Sequence, residues 1–422
     1  MKPIYEDMLL KINDSMMPST GCTEPVAIAL NTATARKHAA GAVKKLTVTM
    51  DSFLYKNAMG VGIPGSDERG VALCAALGVT AGNADALLRV LEQVTSQALA
   101  EAKKMVAEGL VEVRTLPGIE DLLIESVLET ERDTVRVVTR REHTGITRID
   151  HAPFEKLDYA GDPAVPSGIQ DDTLEQFIDF ADHVPIESLH ILKSGIEMNR
   201  AVAEKGKGFG LGKALDQMIR AGVIGTSVVS EAQLMCASAS FARMSGISMP
   251  VMTATGSGNQ GITLLLSIDA VAQRLKVPEE KKLRAVALGS LVNIYVKSYI
   301  GALSAACACG VASGLGASVG IVYMMDGTPE QMLYAMKNIL GSISGMICDG
   351  AKEGCASKVE LACGLAVEAA FLALGGMGVS AGDGIVGNSL KSMFENLGTL
   401  VKEGMFDTNR VIVEIMQGEK AQ

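Results

Sequence analysis

Hydrophobic and polar positions change their period along the chain. Residues 6–15 read as a short helix, which Pro18-Ser19-Thr20-Gly21 breaks. Residues 24–39 predict a second helix, with Pro25 tolerated in its first turn. Residues 45–51 alternate, with Leu46, Val48 and Met50 on one face, and predict a strand. Residues 83–108 predict one long amphipathic helix carrying Leu87, Leu88, Leu91 and Val94 on its apolar side, capped by Asn83 and stopped by Gly109. Residues 111–114, 122–129, 134–139 and 147–151 read as strands. The pattern over 1–160 is an α+β domain with an antiparallel sheet. Residues 152–171, with Pro153, Pro163, Pro166 and several acids, read as a linker. From 172 to 422 strand signals nearly vanish. Segments 174–183, 186–204, 212–222, 229–244, 261–274, 281–300 and 329–340 suit helices joined by Gly-rich bends. The fold class expected is α+β: an N-terminal α+β domain and a mostly α-helical C-terminal domain.

Composition refines this picture. Of 422 residues, 48% are hydrophobic, 4% are aromatic, 45 are Gly and none is Trp. Disorder is excluded, and the core must be built from small residues packed closely. A net charge of −10 argues against a nucleic-acid partner, because phosphate binding needs a cationic surface. Residues 298–325 carry no charge and are long enough for a membrane span. Gly, Ala, Ser and Cys dominate them, however, so they predict a buried pair of core helices. Lys2, Glu6 and Asp7 make the N-terminus unlike a signal peptide, so a cytoplasmic protein is expected.

Several segments carry candidate chemistry. The run Lys205-Gly206-Lys207-Gly208-Phe209-Gly210-Leu211-Gly212-Lys213 lacks the spacing and the following Ser or Thr of a P-loop, and reads as an inter-helix bend, with a mobile lid as the alternative. Thr253 to Gly261 combines hydroxyls, amides and glycines ahead of an apolar helix. Backbone N–H groups at such a helix start hold anions, although an ordinary cap explains the segment as well. Pro18 to Pro25 opens another helix with Cys22 at its start, where a thiol is expected to have a lowered pKa. The eight cysteines form no Cys-x-x-Cys pair, which excludes a zinc ribbon by spacing. Cys307, Cys348 and Cys355 remain, the last two flanking Gly350 and Gly354, and they suit either a wrapped inorganic cluster or plain core packing.

Taken together, Pro18 to Pro25, Thr255-Gly256-Ser257-Gly258-Asn259-Gln260-Gly261-Ile262-Thr263, and Gly345 to Lys358 resemble the L-cysteine desulfidase family, itself related to the iron–sulfur L-serine dehydratases. Asn57, Pro64-Gly65 and His143-Thr144 fall where that family has similar residues. The resemblance implies a [4Fe–4S] cluster held by Cys307, Cys348 and Cys355, with Cys309 a rival for the first position. The fourth iron would be open to substrate or capped by Cys22. Where the dehydratases have Ser-Ser-Ser-His-Thr, this chain has Ser19-Thr20-Gly21-Cys22-Thr23, and its last two cysteines are closer together. Both departures favour the desulfidase branch.

The implied reaction is elimination of sulfide from L-cysteine, giving aminoacrylate and then pyruvate and ammonia. A thiophilic iron accepts the sulfur and removes the need for pyridoxal phosphate. Cys22 is the candidate base. Ser19, Thr20, Thr23, Ser257, Asn259 and Gln260 are the candidates for binding the amino acid, with Lys297 and Lys358 offsetting its carboxylate and Glu24 its ammonium. Asn57 and His143 complete the expected site. A dehydratase of L-serine or another 3-hydroxy amino acid is the nearest rival, and a cluster-based redox or cysteine sensor a second. A homodimer is the expected assembly, with no membrane partner.

Overall fold

The structure is a computed structural model that describes residues 2–63, 68–119, 122–159 and 168–420. Pro64 and Gly65, and residues 160–167 of the expected linker, lie outside the described residues. The chain runs α1 (Pro3–Ser15), β1 (Pro18–Thr20), α2 (Thr23–His38), β2 (Val43–Asp51), α3 (Ser52–Ala58), α4 (Val71–Ala81), a 3-10 turn (Ala84–Arg89) and α5 (Ser96–Ala107). Strands β3 (Val111–Leu116), β4 (Leu123–Thr130), β5 (Thr134–Arg140) and β6 (Ile146–His151) follow. The helical region comprises α6 (Leu174–His183), α7 (His190–Gly206), α8 (Gly210–Arg220), α9 (Val228–Met244), β7 (Pro250–Met252), α10 (Gly258–Leu275), α11 (Glu279–Ile300), α12 (Val311–Met324), α13 (Pro329–Ile343), α14 (Cys355–Leu374), α15 (Leu390–Thr399) and α16 (Phe406–Lys420). The α+β class holds, with the sheet early in the chain and helices after it.

Two hydrophobic cores form. The first packs α2 (Val26, Ile28, Leu30), β2 (Leu46, Val48, Met50) and α4 (Leu73, Leu77) against β4 and β5. The second fills the helical region around α10, α11 and α12. Helix α1 joins this second core through Tyr5, Met8 and Ile12, and Tyr5 donates to Asp179 Oδ2 at 2.6 Å. Small residues allow the closest helix approach, as expected: a side-chain carbon on Gly316 of α12 would lie 2.4 Å from the Gly289 carbonyl oxygen on α11.

Three local expectations need correction. The sheet, ordered β3-β2-β4-β5-β6, is antiparallel except for β2 and β3, which run parallel. Helices α3 to α5 carry the chain back between those strands, and such a return permits parallel pairing. The long helix expected over 83–108 is two elements. Asn83 does cap its start, accepting from Asp85 N, but Leu87 turns to φ +50° and Thr95 caps α5 separately. The uncharged stretch 298–325 is the end of α11, a loop and α12 rather than a helix pair; α12 is nearly all buried. No helix among the described residues is long and apolar enough to cross a membrane. The Gly-rich run 205–213 is a bend between α7 and α8.

Candidate active site

A two-stranded ribbon joins the two halves of the site. Strand β1 pairs antiparallel with β7, Pro18 opposite Met252 and Thr20 opposite Pro250. The segment that opens α2 is thereby stitched to the segment that opens α10. Thr255 N donates to Ser15 O at 2.8 Å and Met17 N to Thr253 Oγ1 at 3.1 Å. Beyond β7 the chain reverses through Thr255 and Gly256, both at positive φ, as a two-residue type I′ turn requires. Thr255 is β-branched and strained there. Its hydroxyl donates to Gln260 Oε1 at 2.8 Å and accepts from Asn293 Nδ2 at 3.2 Å. Gln260 therefore braces this turn.

The cysteine segments are built the same way. Ala306 and Ile347 form an antiparallel bridge, with Cys307 N donating to Met346 O and Cys348 N to Ala305 O, each at 2.7 Å. Cys307 and Cys348 thus flank one bridge. Cys355 begins α14, and its thiol donates to Gly350 O at 3.6 Å. Cys309 Sγ lies 3.4 Å from Ser257 Oγ at the start of α10. Cys22 packs with Val61, Met244, Ala351 and Cys355 in a small apolar cluster of its own.

Glu24 and Asn57 link the first segment to the third. Cys22 Sγ donates to Glu24 Oε2 at 3.1 Å, and Thr23 Oγ1 does so at 3.2 Å. Asn57 Nδ2 donates to Glu24 Oε1 at 2.9 Å, while Asn57 Oδ1 accepts from Cys348 Sγ at 3.7 Å. Burial first and Glu24 second push the Cys22 thiol well above its ordinary value, and Arg243 draws it the other way. This corrects the expected thiolate: the helix-start effect loses to desolvation and a neighbouring carboxylate. Burial alone would raise Glu24, but His143 and the Cys22 hydrogen bond outweigh it and hold the carboxyl below its ordinary range. His143 is buried, which lowers its pKa against the pull of Glu24, and its Nε2 has no partner.

The remaining expected residues divide. Ser19 and Thr20 are buried with hydroxyls that find no partner among the described residues. Asn259 is buried beside them and accepts from Arg243. Lys297 is buried, donates to Ala302 O at 2.9 Å, and falls to about 8 through burial, which Cys309, Cys348 and Glu24 oppose. Lys358 forms an ion pair with Asp349 and donates to Ile347 O at 2.9 Å, so it braces the cysteine loop. Sequence reasoning missed Arg243 and Lys56. Arg243 is buried, and apart from Glu231 it is the one charge in α9, a signal that was available. Lys56 is wholly buried and donates to Cys348 O at 2.5 Å and to the Asn409 side-chain oxygen.

The donor set, soft thiols with cations beside them, is of the chemistry that an iron–sulfur cluster would take. Thiolates on one ion lie within about 4.6 Å of each other, since each metal–sulfur bond is about 2.3 Å. Among the described residues no three His, Cys, Asp or Glu side chains stand that way. Cations attend these cysteines: Lys297 is electrostatically coupled to Cys309 and Cys348, Lys358 to Cys307 and Cys355, and Lys56 to Cys348. An anionic, thiolate-held group would be offset there.

A family model described as serine dehydratase alpha chain matches residues 85–414. The chain belongs to that family. Full-length relatives agree. The UPF0597 protein of Clostridium tetani (strain Massachusetts / E88) is 36% identical over 417 residues, 97% of this chain and 98% of its own. That of Desulfatibacillum aliphaticivorans is 36% identical over 417 residues, 94% of this chain and 95% of its own. That of Alkaliphilus metalliredigens (strain QYMF) is 35% identical over 420 residues, 97% and 94%. The serine dehydratase alpha chain match includes every cysteine of the bridge and of α14 and the whole of α9 to α14. It does not reach Cys22, Glu24 and Asn57, which precede its first residue.

Proposed function

We propose that this protein is a lyase that eliminates sulfide from L-cysteine, an L-cysteine desulfidase working without pyridoxal phosphate. The observation that carries the reading is the chain of contacts from Cys22 through Glu24 and Asn57 to Cys348. It joins a proton acceptor for Cα to the thiols that would receive a metal group. A [4Fe–4S] cluster held by Cys307, Cys348 and Cys355 would supply a thiophilic Lewis acid for the departing sulfur.

This chain's own residues account for the rest. Cys22 passes its thiol proton to Glu24 and takes the Cα proton; the Cα–H pair forms the Cα–Cβ double bond, the Cβ–S pair leaves on sulfur, and Glu24 gives its proton to the departing sulfide, which restores thiol and carboxylate. The aminoacrylate leaves and hydrolyses to pyruvate and ammonia. Asn57 holds Glu24 in line with Cys22. Ser19, Thr20 and Asn259 orient the amino acid. Val61, Met244 and Ala351 keep water from Cys22 and give an apolar, sulfur-bearing wall that suits a thiol substituent better than a hydroxyl.

The serine dehydratase alpha chain match favours a second reading, dehydration of L-serine or another 3-hydroxy amino acid at the same site. One experiment separates them. Protein purified without oxygen is assayed for iron and labile sulfide, then given L-cysteine or L-serine while sulfide and pyruvate are followed. Sulfide and pyruvate in equal amounts from L-cysteine support the desulfidase. Faster pyruvate from L-serine gives the dehydratase, and an iron-free protein after reconstitution overturns both.

A further inference from the structure

A buried guanidinium ordinarily meets a carboxylate, because its charge is costly to bury alone. Arg243 meets neutral groups. Its Nε donates to Gly21 O at 3.0 Å, and its Nη1 donates to Asn259 Oδ1 at 3.1 Å and faces Met244 Sδ at 3.6 Å. Its Nη2 is buried and has no partner among the described residues. Among the described residues no carboxylate forms an ion pair with it, and Glu24 is coupled to its charge only from beyond that distance.

Its surroundings are built for an anion. The guanidinium lies against the first turn of α10, where a side-chain carbon on Gly258 would fall 2.4 Å from Nε. That helix start faces it with partial positive charge. Ser19 and Thr20 immediately precede Gly21, which accepts from Arg243, and both hydroxyls are buried and unpartnered. His143 Nε2 is a further buried, unpartnered atom in the same site. The lysines expected to meet a carboxylate are held elsewhere, Lys358 by Asp349 and Lys297 by Ala302 O.

We propose that Arg243 binds the α-carboxylate of the amino-acid substrate through Nη2, with one of the two buried β1 hydroxyls, Ser19 or Thr20, which alternate across the strand, donating to the same carboxylate. This assignment rests on the reading of the site as that of an amino-acid lyase. It makes the carboxylate the group that turns the single Cα hydrogen toward Cys22, since Arg243 and Cys22 both hang on the turn at Gly21.

The test uses the full chain and L-alanine, which has the carboxylate and ammonium of the substrate but no leaving group. Ethylamine, which is alanine without its carboxylate, is the control. L-alanine should bind the wild-type protein by calorimetry and raise its Tm, and ethylamine should do neither. Arg243→Gln should weaken L-alanine binding by about 100-fold or more, as removal of a buried charged partner does. Arg243→Lys should restore part of that loss. Equal L-alanine affinity in wild type and a folded Arg243→Gln, or no binding by wild type, overturns the assignment. If Arg243→Gln does not fold, a crystal structure of the wild-type protein with L-alanine decides. A carboxylate within hydrogen-bond distance of Nη2 supports the assignment, and a carboxylate held elsewhere overturns it. Binding of L-alanine through Arg243 without breakdown of L-cysteine or L-serine would overturn the lyase reading and leave the carboxylate site standing.

Discussion

The Cys22 thiol donates to Glu24 Oε2 over 3.1 Å, from one side of the first turn of α2 to the other. The proton therefore rests on sulfur, and Glu24 is the group that can take it. Cys22→Ser keeps a donor to Glu24 in the same volume but replaces a thiol with a far weaker acid. Its kcat should fall by about 1,000-fold, within the usual span for losing a general base. Iron per chain should stay at the wild-type value. Iron lost together with kcat would make Cys22 a cluster ligand and not the base.

Lys56 ties three parts of the molecule together. From α3 it reaches the carbonyl of Cys348 in the cysteine loop and the side chain of Asn409 on the last helix. Lys56→Met fills the space but leaves these buried acceptors unpaired. Stability should fall by about 2–4 kcal/mol, read as a lower urea midpoint. Reconstituted iron per chain should also drop, because the Cys348 loop loses its anchor. A variant with wild-type midpoint and iron would show that this contact holds nothing.

The site was legible wherever its chemistry lies within a short segment. Cys22, the Thr253 to Gly261 segment ahead of α10, and the Cys348 to Cys355 loop each stood out locally as candidates, and hydrogen bonds and packing link them in the structure. Lys56 was not legible, because its partner lies 292 residues away in sequence; Arg243 stood out as the one cation of α9, but its partner, 222 residues away, did not. The pKa of Cys22 failed for a related reason. A helix start is visible in the sequence, whereas the burial that outweighs it comes from Val61 and Met244, distant along the chain. The strand and helix periods gave the α+β class, but Leu87 at positive φ inside an amphipathic run carries no compositional warning.

Gly256 serves His143. It sits at φ +80°, and a side-chain carbon there would come 2.9 Å from His143 Nδ1. Gly256→Ala should cost about 1–2 kcal/mol for the left-handed backbone alone, plus whatever displacing His143 adds. The double variant with His143→Ala separates these costs, since removing the ring relieves the contact and leaves the backbone strain. The pair should be less than additive in urea midpoints. Full additivity would mean that the ring and the turn do not meet.

Lys297 gives the clearest pH signature. Burial lowers it from an ordinary 10.5 to about 8. Below pH 8 both folded and unfolded chains carry the proton, and the folded chain bears the full cost of the buried charge. Between 8 and 10.5 the unfolded chain binds more protons, so stability rises with pH across that window and the cost vanishes above it. In the metal-free protein, Lys297→Met should therefore stabilise at pH 7, by on the order of 3 kcal/mol at most, since each pKa unit is worth about 1.4 kcal/mol. The gain should shrink steadily as pH climbs past 8. Activity should move the opposite way, because the ammonium stands with Cys309, Cys348 and Glu24 at the site. A residue retained at a cost in stability is expected where function needs it. Urea midpoints of both proteins from pH 7 to 9.5 test this, and a stabilisation independent of pH would assign the gain to packing alone.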